Sequence, residues 1–300
     1  MAVVKHATGV AMLCLALLAS CGDDSAAAPR VAEKEFAASC IGIGEVDFDP
    51  PAVLCIGSLD GTVRELNVAL DPGVPPALSP GRDRIAVVHL GSVTVHDAGG
   101  AEVRSLGSFG DVLALHWQGT TDALLLQLRA DDGAISIVSV QLAGGDAKVV
   151  MDTANFDGAV APGFAVDPDG ARIAYATELG EGSALVMVDL SSGQSTTLLE
   201  TEDGTGIGAP SWSPDGESLA VVVGETVEVL NSNGGERVTV ASLGAPATTP
   251  TWSPGGRQLL FVDARGAVVK VGVDGSELTA VVDHTTDSDG RRFPALPAWT

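Results

Sequence analysis

Aromatic residues make up only 4% of this 300-residue chain: one Tyr, four Trp and seven Phe. A domain so poor in rings must fill its core with aliphatic side chains, and Val takes most of that work. Basic residues are scarce too, with 16 Lys and Arg against 39 Asp and Glu and a formal net charge of −23. Such a surface repels phosphate backbones and anionic head groups, which argues against nucleic acid and bare lipid surfaces as partners. The five histidines are scattered, with no His-x-x-x-His and no Cys/His pair. Walker A, Gly-x-Gly-x-x-Gly and zinc spacings are also missing, so neither metal nor cofactor is expected. No 18-residue apolar run occurs, and no spanning helix is expected. The serine-hydrolase pentapeptide Gly-x-Ser-x-Gly has no true copy. Its nearest approach, Gly216-Glu217-Ser218-Leu219-Ala220, reads as turn and strand. The chain is therefore read as a non-enzyme.

The start of the chain carries its own signal. Lys5 supplies a positive charge, Val10 to Leu18 is an apolar run, and Leu18-Ala19-Ser20-Cys21 closes it. An apolar run of roughly 10 residues after a basic start is a secretory pattern, too short to span a bilayer as a helix of about 20. Leu-Ala-Ser-Cys resembles the bacterial lipobox, which implies cleavage after Ser20 and acylation of the Cys21 thiol. The expected divisions are a signal at 1–20, a flexible tether at 21–39 and a folded domain at 40–300. The tether rests on the small, polar composition from Gly22 to Ala37, which has no apolar period. Export follows, with lipid attachment to the cell membrane, or to the outer membrane of a two-membrane bacterium. Cys14 leaves with the signal and Cys21 takes the lipid. Cys40 and Cys55 remain, an even pair expected to form a disulfide in an oxidising compartment.

From residue 40 onward, short apolar runs alternate with Gly, Pro, Asp and Ser. Ile85-Ala86-Val87-Val88 and Leu219-Ala220-Val221-Val222-Val223 are examples. Turn signals recur roughly every 8 to 12 residues, which argues all-β with little helix. The informative feature is a repeat. Pro210-Ser211-Trp212-Ser213-Pro214-Asp215-Gly216 recurs as Pro250-Thr251-Trp252-Ser253-Pro254-Gly255-Gly256. Fainter copies are Ala165-Val166-Asp167-Pro168-Asp169-Gly170 and Ala77-Leu78-Ser79-Pro80-Gly81, with weak ones at His116-Trp117 and Asp47-Phe48. The chain ends on Pro297-Ala298-Trp299-Thr300, the opening of one more. Successive marks at Phe48, Leu78, Trp117, Val166, Trp212, Trp252 and Trp299 lie about 42 residues apart on average, near the period of a four-stranded propeller blade. Ser-Pro-Asp-Gly suits a type I turn joining two antiparallel strands. The Trp before it is placed to wedge between neighbouring blades.

The motif Pro-x-Trp-Ser-Pro-Asp-Gly-x-x-Leu/Ile-Ala is similar to the propeller repeat of TolB, over about residues 45 to 300. That resemblance implies an all-β propeller. Six four-stranded blades are expected, closed by pairing of Phe293 to Thr300 with Val53 to Gly57 and Thr62 to Val68. The same repeat occurs in prolyl-oligopeptidase-like enzymes, but no catalytic domain is recognisable here. TolB's additional N-terminal domain has no recognisable counterpart, so no role in the Tol–Pal system is inferred. What the resemblance implies is a protein- or peptide-binding scaffold at one channel mouth, partnered with another envelope protein. The rivals are a small-molecule or carbohydrate-binding propeller and a metal-assisted lyase or hydrolase. His116, beside Trp117 on an inner strand, is the one histidine to watch, read either as channel-facing or as a packed or solvated structural histidine. Acidic turns such as Asp167-Pro168-Asp169-Gly170 and Asp287-Ser288-Asp289-Gly290 faintly resemble calcium loops but lack the further ligands, and turn chemistry explains them.

Overall fold

A computed structural model describes residues 29–40, 52–71, 73–152, 159–202, 204–245, 247 and 249–282. Among them every regular element is a strand, and all strand pairs are antiparallel. Six sheets form the blades of a β-propeller. The first blade comprises Ala77–Leu78, Arg84–His89, Ser92–Asp97 and Glu102–Ser108. The second comprises Asp111–Trp117, Ala123–Arg129, Ile135–Gln141 and Lys148–Asp152. The third runs through Ala159–Val166, Arg172–Leu179, Gly182–Asp189 and Ser195–Thr201. The fourth has Ser211–Trp212, Ser218–Val223, Thr226–Asn231 and Arg237–Ser242, and the fifth Thr251–Trp252, Gln258–Val262, Val268–Gly272 and Thr279–Val282. The sixth sheet is N-terminal, with Glu35–Cys40, Ala52–Ser58 and Val63–Leu70 described. The first strands of consecutive blades lie side by side around the axis. The fourth strands are the most exposed, as in Glu102–Ser108.

Both faces of each sheet are covered, which is why the second strands read as unbroken apolar runs instead of alternating ones. Leu219, Ala220 and Val221 are all fully buried although they alternate between faces. Six apolar clusters fill the six gaps between sheets. One joins the N-terminal sheet to the first blade through Ala37, Leu54, Ile85 and Val87. Others join first to second, second to third, third to fourth and fourth to fifth. The last brings Phe36 and Ala38 against Leu260, Val262 and Val268 of the fifth blade, closing the ring. Phe36 lies across Gly57, where any Cβ would strike its ring. Val, Ile, Leu and Ala supply most of these clusters, as the low aromatic content required.

The tether boundary needs correction. Glu35–Cys40 is the edge strand of the N-terminal sheet, and Val31 is buried ahead of it. The segment looked structureless because its apolar residues are few and small, yet two sheets remote in sequence cover it. The disulfide between Cys40 and Cys55 is formed, with both residues buried and Cα atoms 6.0 Å apart. The two sit diagonally on paired strands, since Cys40 lies opposite Val53 and Cys55 opposite Ala38. Cys21, the weak repeat at Phe48, Trp299 and the proposed closing strand Phe293 to Thr300 lie outside the described residues.

The repeat tryptophans bind blade to blade. Trp117 Nε1 donates to the Ala77 carbonyl at 3.0 Å, and Trp252 Nε1 donates to the Ser211 carbonyl at 3.1 Å, each reaching the inner strand of the preceding blade. Arg84 and Arg172 stack on Trp117 and Trp212 at 4.7 and 4.5 Å from the ring centres. Trp212 Nε1, by contrast, is buried without a partner among the described residues. Replacing each indole by Phe separates these cases. Trp252→Phe removes a made hydrogen bond, although the Ser211 carbonyl keeps its strand partner Ala220, and should lose about 0.5–1.5 kcal/mol more than Trp212→Phe, which removes an unmade donor. Urea unfolding of both variants measures the difference, and equal losses would show that the hydrogen bond contributes nothing.

Candidate functional site

The inner strands and the turns after them enclose a chamber of about 640 Å³ on the propeller axis. Its wall is made by sequence features that recur once per blade. In the fourth blade Ser213 N donates to the Ser218 carbonyl and Gly216 N closes the turn onto Ser213 at 2.9 Å. Ser213 Oγ receives Ser218 N and donates to Asp215 Oδ1, and Glu217 N caps the same carboxylate. These bonds hold Asp215 below the usual carboxylate range. The bond from Gly256 to Ser253 in the fifth blade and that from Gly170 to Asp167 in the third repeat the turn. Each of these glycines has φ near 70°, the left-handed conformation that a type I turn leading into a hairpin bulge requires. The turns also touch across blades, for Gly216 and Gly256 sit over Pro168 and Pro214 of the preceding blades.

Nine of the chain's 16 prolines line the chamber. Their placement follows from strand alternation. Ser79 N, Ser213 N and Ser253 N point to the second strand of their own blades. Positions one residue away in either direction therefore turn their amide edge to the axis, where no strand pairs with them. Pro76, Pro210 and Pro250, three residues before these serines, fall on the same side by alternation, while Pro80, Pro214 and Pro254 open the turns that follow. Proline is tolerated on an unpaired edge and blunts it against intruding strands. At these strand positions the wall keeps its carbonyls but loses one N–H donor of each pair.

One stretch departs from this pattern. The first strand of the third blade slips register between Val160 and Phe164. Gln127, fully buried on the second blade, fills the break: Nε2 donates to the Ala161 carbonyl and Oε1 accepts Gly163 N at 2.7 Å. Gly163 has φ 101°, and a Cβ there would collide with Ala209 of the fourth blade. A lone Gln within Leu124-Leu125-Leu126-Gln127-Leu128 was the signal in the sequence that could have marked this tie.

His116 is among the residues that line the chamber. Its ring packs edge-on against Phe164 of the next blade, with centroids 4.8 Å apart. Burial pushes its pKa down from 6.5 to about 4. Among the described lining residues only Arg82 and Asp167 are charged, and both are engaged. Asp167 accepts Ala171 N, Arg172 N and the Arg172 guanidinium. Arg82 stands at the left-handed turn position where the third, fourth and fifth blades have Gly, with φ 57°. Its guanidinium donates to the carbonyls of Val31, Ala32 and Glu35, fastening the N-terminal segment at the chamber rim. Sequence reading missed Arg82, since nothing local marks its partners. Of the positions singled out in the sequence, His116, Trp117, Trp212, Pro214 and Pro254 come together here, while Cys40 and Cys55 lie in the N-terminal sheet. Among the described residues no three His, Cys, Asp or Glu side chains converge where a metal could sit.

No protein-family model and no curated protein matches the chain. Solved structures do. A chain in a nidogen–laminin complex superposes with a TM-score of 0.67 at 13% identity, covering 88% of this chain and 98% of that one. TolB from Acinetobacter baumannii gives 0.65 at 16% identity, over 88% of this chain and 66% of that one. A TolB candidate from Agrobacterium tumefaciens gives 0.61 at 15%, over 83% and 89%. The fold is a TolB-type β-propeller. At these identities the likeness is one of fold, and what each protein does stays its own.

The depressed His116 pKa has a consequence for stability. Below pH 6.5 the unfolded chain takes up a proton that the folded chain refuses until about pH 4, so stability falls as pH drops through that window. His116→Phe removes this proton uptake and should flatten the stability profile between pH 6.5 and 4. Thermal unfolding of both proteins at half-unit pH steps measures it, and parallel profiles would contradict the assignment.

Proposed function

We propose that this chain is an exported lipoprotein, acylated at Cys21, whose propeller binds another envelope protein or peptide at the face carrying the Ser-Pro-Asp-Gly turns. The binding reading is carried by one observation: that face opens into a chamber of about 640 Å³ walled by apolar rings and backbone carbonyls. A proline-lined concavity offers apolar contact at little ordering cost, because its walls are already rigid. Likeness in fold to TolB structures supports a protein-interaction module. Among the described residues no hydrogen bond joins a wall hydroxyl to His116, whose ring packs against Phe164. The protein is therefore proposed to bind and not to catalyse.

The anchor is argued from residues 1–21 alone. Two expectations follow. Cys21→Ala should move the protein from the membrane to the soluble exported fraction, and retention in membranes would remove the anchor. The binding face is tested separately, with photo-crosslinking residues placed in the turn region. Thr120→Arg with Asp169→Arg should abolish partner crosslinks, while Glu225→Arg, on the opposite hairpin face, should preserve them. The reverse pattern would move the binding site to the other mouth.

A further inference from the structure

We propose that the central chamber is a site for an uncharged ligand with an apolar body and at least one O–H or N–H donor, which His116 and the wall carbonyls accept. This rests on the reading of the chamber-bearing face as the binding face and adds the chemistry of what enters.

Three observations converge. The first is the donor deficit of the wall. In the first, fourth and fifth blades Pro76, Pro210 and Pro250 share the axis-facing side of the strand with Leu78, Trp212 and Trp252. At each of these pairs two carbonyls face the axis and only one N–H remains. An occupant that also offers only acceptors would leave these carbonyls dehydrated and unpaired.

The second is the histidine. Its ring lines the chamber and packs edge-on against Phe164, and burial keeps it neutral above about pH 4. Neutral imidazole has one N–H and one lone pair. Whichever nitrogen carries the proton, the other is an acceptor. Ser211 Oγ, in the same wall, is buried with no partner among the described residues.

The third is the absence of an available charge. Arg82 is held by three carbonyls and Asp167 by Arg172 and two amides. An anion would meet carbonyls, and a cation would meet a site that already disfavours a proton on His116. Sugars are a poorer fit. Arg84 and Arg172 stack on Trp117 and Trp212, and a polyol's own acceptors would find few donors. The volume suits a drug-sized molecule or the side chains of a short peptide segment.

The test uses the full-length protein in detergent at pH 7 and three probes of equal apolar body: 2-naphthol, 2-methoxynaphthalene and naphthalene-2-sulfonate. Calorimetric titration should show naphthol binding roughly 3- to 10-fold tighter than its methyl ether, the worth of one neutral hydrogen bond, with the sulfonate weakest. His116→Phe should erase the naphthol advantage without weakening the ether. Pro210→Ala with Pro250→Ala, which restores axis-facing N–H groups, should narrow the gap by improving the ether. Near-UV circular dichroism checks that each variant is folded. Ether or sulfonate binding as tightly as naphthol, an advantage that survives His116→Phe, or no binding by any probe would each overturn the proposal. The reading of the face fails differently. A naphthol preference that depends on His116, in a protein whose Thr120→Arg and Asp169→Arg variant still crosslinks its partner, would keep the ligand site and remove the protein interface.

Discussion

Face-to-face packing between neighbouring sheets is the interaction on which everything else here depends. No blade can bury its second strand alone, because that strand is apolar on both faces, as Leu219 to Val223 illustrates. Each sheet needs a neighbour on either side, and only a closed ring gives every sheet two. The six apolar clusters are the six joints of that ring. Tryptophan hydrogen bonds, stacked arginines and proline–glycine turn contacts then fix the angle at which sheets meet, and with it the size of the space left on the axis.

That axial space inherits its chemistry from the architecture. A propeller points strand edges, not side chains, at its centre, so the wall is a backbone surface whose character the side chains can only edit. Proline is the strongest available edit, since it removes a donor and adds an apolar ring at once. Gln127 shows the opposite edit, a side chain spent on repairing backbone groups where the inner strand of the third blade slips register. The result is a chamber almost free of available charge inside a chain of net charge −23.

Much of the fold was legible because its signals are local. Trp212-Ser213-Pro214-Asp215-Gly216 needs nothing outside itself to declare a strand end and a turn, and its spacing declares the blade. The disulfide followed from counting cysteines. What was not legible depends on partners far along the chain. Glu35–Cys40 looked like tether because Phe36 is flanked only by charged and small residues; it packs against Leu260 and Val262. Arg82 looked like a surface residue in a turn, whereas its guanidinium meets carbonyls about fifty residues earlier. For the site, His116 was marked by its place next to Trp117, but the Pro-x-x-x-Pro spacing was read only as turn chemistry. Its second meaning, an edge with fewer donors, appears once the strands are arranged around an axis.

The joint between Phe36 and Leu260 also sets a temporal order. A growing or translocating chain cannot bury Phe36 until residues beyond 260 have emerged, so the first sheet waits for nearly the whole sequence. Folding of such a ring is dominated by long-range contacts and is correspondingly slow. Through that interval the faces of the N-terminal sheet and of the latest blade stay uncovered and adhesive. A cell making this protein must shield those two surfaces until they find each other.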